Sequence, residues 1–169
     1  MDWTDALNST HTRTHELDIL VRLLLAAAAG AAIGMERESK ERPAGLRTNM
    51  LVALAAAVFT VLTFEIHYAF SSNSDPVRII EAVTAGVAFL AAGTIIQSRG
   101  AVQGLTTGAA MWMSGALGVC CGAGYYSLAV IATVLTVLIL HVLNRIELIS
   151  PRSATKPDGL RAETSSRTD

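Results

Sequence analysis

Residues 36–48 read ERESKERPAGLRT, Glu36 to Thr48, and lie between two long apolar runs. Seven of these thirteen residues are charged: Glu36, Arg37, Glu38, Lys40, Glu41, Arg42 and Arg47. The remainder of the chain is of a different kind. Of its 169 residues, 51% are hydrophobic and 16% charged, where a globular protein carries roughly 25% charged residues, and its mean hydropathy is +0.45. The charges crowd the N-terminal arm, this connector, a patch near Asp75 and the tail, so the apolar stretches between them decide the fold. A net charge of -1 gives no argument for nucleic acid, and none is expected as a partner.

Five apolar stretches run from about Leu17 to Met35, Asn49 to Tyr68, Val77 to Gln97, Leu105 to Ala123 and Tyr125 to Leu143. Each is close to the ~20 residues a helix needs to cross the hydrocarbon core. Alternation of apolar and polar residues is absent, which argues against barrel strands. A polar stripe is absent too, which argues against helices of a soluble bundle. LLLAAAAGAA has the look of a signal-peptide core and cleavage site, but the arm before it holds Asp2, Asp5, Glu16 and Asp18 against Arg13, the wrong sign. The sequence therefore predicts an all-α bundle of five transmembrane helices over residues 17–148. An extracytoplasmic arm, 1–16, precedes it, and a tail, 149–169, rich in Ser, Thr, Pro and charge, reads as disordered.

Lysine and arginine set the orientation. With five spans, the 36–48 and 98–104 connectors and the tail share one side, which carries Arg37, Lys40, Arg42, Arg47, Arg99, Arg145, Arg152, Lys156, Arg161 and Arg167. The other side has Arg13, Arg22 and Arg78. The basic side should be cytoplasmic, with the N terminus outside and the C terminus inside. Within the connector, Glu36–Lys40 and Glu38–Arg42 are acid-before-base pairs four residues apart, which favours continuing the first helix. Pro43 disfavours helical geometry at Arg42, so the helix should end there. Gly45 permits a turn, and Thr48 or Asn49 can cap the next helix.

GMERESKERPAGLRTNMLVALAAAVF closely resembles the signature of the MgtC/SapB family of small bacterial inner-membrane proteins. DPVRIIEAVTAGVAFLAAGTII resembles that family's Asp-Pro-x-Arg entry and third span, and AVQGLTTGAAMWMSGALGVCCGAGYY resembles its Gly-Leu-Thr-Thr segment and Gly-rich fourth span. The resemblance covers about Leu17 to Leu143. It departs at Ala88 and Ala91, where the family usually has glycine, and at Gln103, where arginine is common. Many relatives also carry a soluble C-terminal domain, whereas this chain stops after SPRSATKPDGLRAETSSRTD, so functions residing in that domain are not carried over. The resemblance implies a signature site at Glu36, Arg37, Glu38, Pro43, Ala44, Gly45, Leu46, Arg47 and Thr48. Arg47 should lock the hairpin to the bundle through Glu36 or Glu38, because a guanidinium binds at two points where lysine cannot. Gly45 is expected to hold a positive φ.

Other residues divide between packing and chemistry. Gly30 and Gly34, Gly104 and Gly108, and Gly118 and Gly122 recur at the four-residue spacing that lets helix backbones approach, within the bundle or at a partner. Asp75 can cap the third helix with Pro76 at its first position, and Arg78 and Glu81 can pair on its face. The fourth-span motif offers Gly104, Leu105, Thr106, Thr107 and Trp112. The threonines lack a neighbouring base, so packing or helix entry is expected, and Trp112 should fill a helix interface. His11 and His15 lack a further fixed ligand, and Cys120 and Cys121 sit in an apolar run, so neither pair marks a metal site. No catalytic residue, metal or cofactor is expected.

Three functions remain open. The resemblance implies a non-enzymatic regulator that binds another integral membrane protein, with relatives linked to magnesium limitation, acid tolerance and restraint of the membrane sector of the rotary ATP synthase. The alternatives are a magnesium or other cation transporter and a structural subunit. Sparse deep carboxylates count against the transporter. The lipid bilayer, a membrane-protein partner and a second copy of the chain are the partners considered, in a multi-pass protein of the bacterial inner membrane. The ten-to-three Lys/Arg imbalance generates a topology prediction. A reporter active only in the cytoplasm should work when fused after Leu148 and fail after Asn73; equal activity at both would overturn five spans.

Overall fold

A computed structural model describes residues 3–70, 77–98 and 101–149. Asp75 and Pro76, expected to open the third helix, and the tail from residue 150 lie outside the described residues. Five helices carry the fold: α1 (Trp3–Glu38), α2 (Leu46–Phe70), α3 (Val77–Gly93), α4 (Leu105–Gly122) and α5 (Tyr126–Ile149). No glycine precedes Gly30 and no proline precedes Pro43, so nothing in the sequence breaks α1, which runs through the expected N-terminal arm. By length and composition, His15–Glu38 and Leu46–Tyr68 are long and apolar enough to cross a membrane, and Tyr126–Val142 is a shorter apolar helix. At 17 and 18 residues, α3 and α4 are shorter than the stretches expected for the third and fourth spans.

Three boundaries differ from the sequence expectation. Helix α1 ends at Glu38, not Arg42, because the amides of Lys40 and Arg42 both turn back to the Arg37 carbonyl, at 3.3 and 3.1 Å, and Glu41 takes φ 52°. The Glu36–Lys40 pair forms, but with helical geometry lost the Glu38–Arg42 pair does not. Helix α2 begins at Leu46, so neither Thr48 nor Asn49 caps it; both lie inside its first turn. Helix α3 stops at Gly93, where the amide and hydroxyl of Thr94 bond the Ala91 carbonyl at 3.0 and 2.7 Å. A two-stranded antiparallel hairpin follows, β1 (Ile96–Ser98) with β2 (Ala101–Gln103), pairing Ile96 with Gln103 and Ser98 with Ala101. That hairpin takes the place of the last residues of the expected third span, Ile96 and Gln97, and of the connector after it.

Helix α4 touches each of the other four helices. It contributes Met111 to a cluster with Val52, Ala56, Val83 and Val87, Cys121 to one with Ala26, Ala57 and Ala129, and Ala110 and Leu117 to one with Ile33. Backbones meet closely because the seams are built from glycine and alanine. A Cβ on Gly30 would lie 2.5 Å from the Asn49 carbonyl oxygen, and one on Gly34 2.6 Å from the Leu46 Cα. Gly118 faces the Ala53 carbonyl and Gly122 the Ala57 carbonyl, so α2 and α4 run parallel, advancing together by one turn from the Asn49–Ser114 hydrogen bond. Gly108 packs on Ala91 of α3 and Gly115 on Val87. Gly86 and Gly93, by contrast, face open space.

Side-chain size is distributed inside out. The largest fully buried side chains are Ile33, Leu117, Asn49, Thr60, Cys121 and Ser114, while Leu24, Leu51, Phe59, Phe89, Val130 and Leu138 face outward. The seams generate a stability prediction. Gly118→Val should destabilise the purified protein in detergent by about 2 kcal/mol, because rigid backbone of Ala53 opposes the new atoms. Gly86→Ala, on an open helical face, should be neutral or stabilising by up to about 1 kcal/mol. Thermal unfolding of both variants measures the difference, and equal effects would contradict the packing described.

Candidate functional site

The connector folds back onto α1 and joins it to the starts of α2 and α4. Its carboxylates serve the backbone and each other's neighbours: the Leu46 amide donates to Glu38 Oε2 at 2.7 Å, and Lys40 Nζ donates to Glu36 Oε1. A Cβ on Gly45 would lie 2.9 Å from Glu38 Oε2, the oxygen that accepts from the Leu46 amide. The left-handed turn falls one position earlier, at Ala44 with φ 55°, and not at Gly45 as expected. Asn49 holds that strained turn in place. Its Nδ2 donates to the carbonyls of Ala44 and Gly45 at 2.7 and 2.9 Å, while its Oδ1 accepts from Ser114 Oγ at 2.8 Å. Asn49 and Ser114 are both fully buried, so their polar atoms satisfy one another where water does not reach.

Arg37 is the buried cation of the connector end. It is 4% exposed, and its Nη2 donates to Thr107 Oγ1 at 2.7 Å, tying the end of α1 to the start of α4. Its Nε and the Oε2 of the neighbouring Glu36 are buried and lack hydrogen-bond partners among the described residues. Arg47, expected to lock the hairpin, is exposed, and neither Glu36 nor Glu38 pairs with it. The anchoring role sits ten residues earlier. Helical phase explains the exchange: Arg37 lies on the face of α1 that carries buried Gly30, Ile33 and Gly34, and so points into the bundle.

The opposite end holds a second polar group. Arg22 Nε donates to Asp18 Oδ2 at 2.7 Å and Nη1 donates to the Gly122 carbonyl at 2.9 Å, placing a cation at the C-terminal end of α4. Its guanidinium lies against Gly124, which has φ 82°. His15 Nε2 is 3.1 Å from the Glu65 carboxylate. These residues line a cavity of about 260 Å³ with Ile19, Val61, Phe64, Tyr68 and Ala123. The sequence marked Arg22 only as a charge in the orientation count, because the Gly122 carbonyl it reaches lies a hundred residues away on α4.

The remaining candidates separate. Thr107 is buried and holds Arg37, whereas Leu105 and Thr106 are exposed at the start of α4, after Gly104 with φ 88°. Pro43 is exposed, and Leu46 and Thr48 are half-buried in the first turn of α2. Trp112, expected at a helix interface, is 48% exposed on the outside of α4, because the inner face is taken by Met111, Ser114 and Gly115. Arg78 and Glu81 are both exposed and form no ion pair. Gly30, Gly34, Gly108, Gly118 and Gly122 all face neighbouring helices of the same bundle. Among the described residues, no three His, Cys, Asp or Glu side chains come together to hold a metal ion.

Residues 23–149 match the sequence model of the MgtC family. The chain is 37% identical over 136 residues to the Escherichia coli K12 protein named "Putative magnesium transporter YhiD", a match covering 76% of this chain and 62% of that protein. It is 44% identical over 110 residues to Protein MgtC of Brucella abortus, covering 65% of this chain and 44% of that one. The chain thus spans between about two-fifths and three-fifths of the length of these relatives. No solved structure matches it. The two arginines of the connector give a contrast that unfolding in detergent can read. Arg37→Lys loses the planar donor that reaches Thr107 inside the bundle and should cost about 2 kcal/mol. Arg47→Lys should change stability by less than about 0.5 kcal/mol. A larger loss from Arg47→Lys would restore the hairpin lock to Arg47.

Proposed function

The chain belongs to the MgtC family, and we propose that it is a five-span protein of the bacterial inner membrane that acts by binding another membrane protein during adaptation to low magnesium or acid. The observation that carries the membrane reading is the inverted distribution of side chains. Alanine, glycine, serine and asparagine fill the seams, while leucine, valine, isoleucine and phenylalanine cover the outside. In water that surface would collapse onto itself; in lipid it is solvated, and helices associate through close small-residue packing. The positive-inside bias puts the connector end in the cytoplasm.

The regulatory reading is supported by where charge lies. The ion pairs sit at the two ends of the bundle, Glu36–Lys40 at one and Asp18–Arg22 and His15–Glu65 at the other. Between them, the backbones of α1, α2 and α4 close on one another around Ala53, Ala56 and Ala57. Nothing there offers the line of carboxylates that a cation path through lipid needs. The resemblance makes the membrane sector of the rotary ATP synthase the first partner to test, and the chain itself performs no chemistry in this reading. A transporter is the second reading, favoured by the name of the YhiD relative and by the cavity that His15, Asp18 and Glu65 line.

Purified protein in liposomes separates the two. We expect magnesium flux no greater than in empty liposomes, together with restored growth of a family-null strain in low magnesium and capture of a membrane-protein partner after cross-linking in cells. Protein-dependent flux lost in Glu65→Gln would favour transport instead.

A further inference from the structure

Arg37 is 4% exposed, yet a single side-chain hydrogen bond, to Thr107, joins it to the protein, and its Nε is left without a partner. Buried guanidinium groups ordinarily have their donors satisfied. Thr107 is the third residue of α4, so this guanidinium lies against the first turn of an 18-residue helix. Gly104 at its N-cap has φ 88° and supplies no side-chain cap, and the first turn carries no acidic residue. A capping side chain cannot be built there, because a Cβ on Gly104 would collide with the Thr94 carbonyl. No bond from the amides of Leu105, Thr106 or Thr107 is found among the described residues. Leu105 and Thr106 are exposed, so the turn can be reached from outside.

Free first-turn amides and the helix dipole favour an anion, and a guanidinium beside them favours an oxyanion bound at more than one oxygen. Glu36 Oε1 takes Lys40 and Glu38 takes the Leu46 amide, while Glu36 Oε2 is buried beside Arg37 without a hydrogen-bond partner among the described residues. We propose that the first turn of α4 and Arg37 form a phosphate-binding site, the donors being the amides of Leu105 to Thr107, the Thr106 hydroxyl and the Arg37 guanidinium. Phosphate fits better than carboxylate because it offers more oxygens to this many donors. The group comes from an anionic lipid headgroup or from soluble phosphate. The lipid source rests on the membrane reading above; the soluble source does not.

Hydrogen exchange of the α4 first turn tests this on the full chain. In uncharged detergent, inorganic phosphate should slow exchange at Leu105–Gly108 saturably, and acetate at equal ionic strength should not. In nanodiscs, phosphatidylglycerol added to phosphatidylcholine should give the same protection if the source is lipid. Protection in one arm alone identifies the source, and protection in neither overturns the site. Thr106→Asp is the decisive variant, because an exposed acid in the first turn favours the helix while competing with the anion. It should keep the unfolding temperature and weaken phosphate protection about tenfold or more, as should Arg37→Lys. Arg47→Gln, which removes an equal charge outside the site, should bind normally. Protection by acetate equal to that by phosphate, or unchanged binding in Thr106→Asp, would overturn the proposal. Neither readout depends on magnesium flux or growth, so the functional reading stands or falls separately.

Discussion

The carbonyl of Ala53 lies where a side chain on residue 118 would have to begin. This approach of two backbones is the constraint on which the rest of the bundle depends. It holds α2 and α4 parallel and in register, and the same helix α4 then presents Ala110 and Leu117 to α1, Gly108 and Gly115 to α3 and Cys121 to the cluster shared with α5. Glycine matters here for absence of volume and not for backbone freedom; the glycines that need a left-handed φ, Gly104 and Gly124, sit instead at the two ends of α4. Close contact gains dispersion energy over many atoms.

At the start of that seam the packing turns polar. Asn49 and Ser114 occupy the turn before Ala53 and Gly118, and the Asn49 amide carries the seam's register into the connector by holding the Ala44 and Gly45 carbonyls. A left-handed alanine is costly on its own. It persists because the connector is fixed from two sides, by Asn49 within α2 and by Glu38 at the end of α1. The charged connector is therefore an integral part of the helix packing as well as a candidate topological signal. Its acids bind backbone and lysine, and its buried base reaches across to α4.

The two ends of α4 mirror one another electrostatically. Arg22 donates to the Gly122 carbonyl at its C-terminal end, the favourable arrangement for a helix dipole. At its N-terminal end stands a second arginine, Arg37, where the dipole is unfavourable to a cation. The acid beside Arg37 in the chain, Glu36, is paired with Lys40 through Oε1 and leaves Oε2 buried without a partner among the described residues, whereas the charges at the cavity end are paired among themselves.

Much of this was legible in the chain. Five apolar stretches between charge clusters became five helices because they are rich in the helix formers Ala and Leu and no proline interrupts them. Gly30 and Gly34, and Gly118 and Gly122, repeat with the helical turn and meet neighbouring backbones, whereas Gly104 of the third pair turns the chain into α4. What the chain could not disclose depends on which residues meet across the bundle. Arg37 and Arg47 look alike in the connector, and the helical phase of α1 together with Thr107, seventy residues away, makes one buried and leaves the other in solvent. The left-handed φ fell on Ala44 and not on Gly45, at the turn whose Ala44 and Gly45 carbonyls Asn49 holds. Local residue type marked the five helices but not their ends or the hairpin between α3 and α4; the choice among chemically equivalent side chains was made by tertiary contact, since burial and hydrogen-bond partners exist only once the helices have packed.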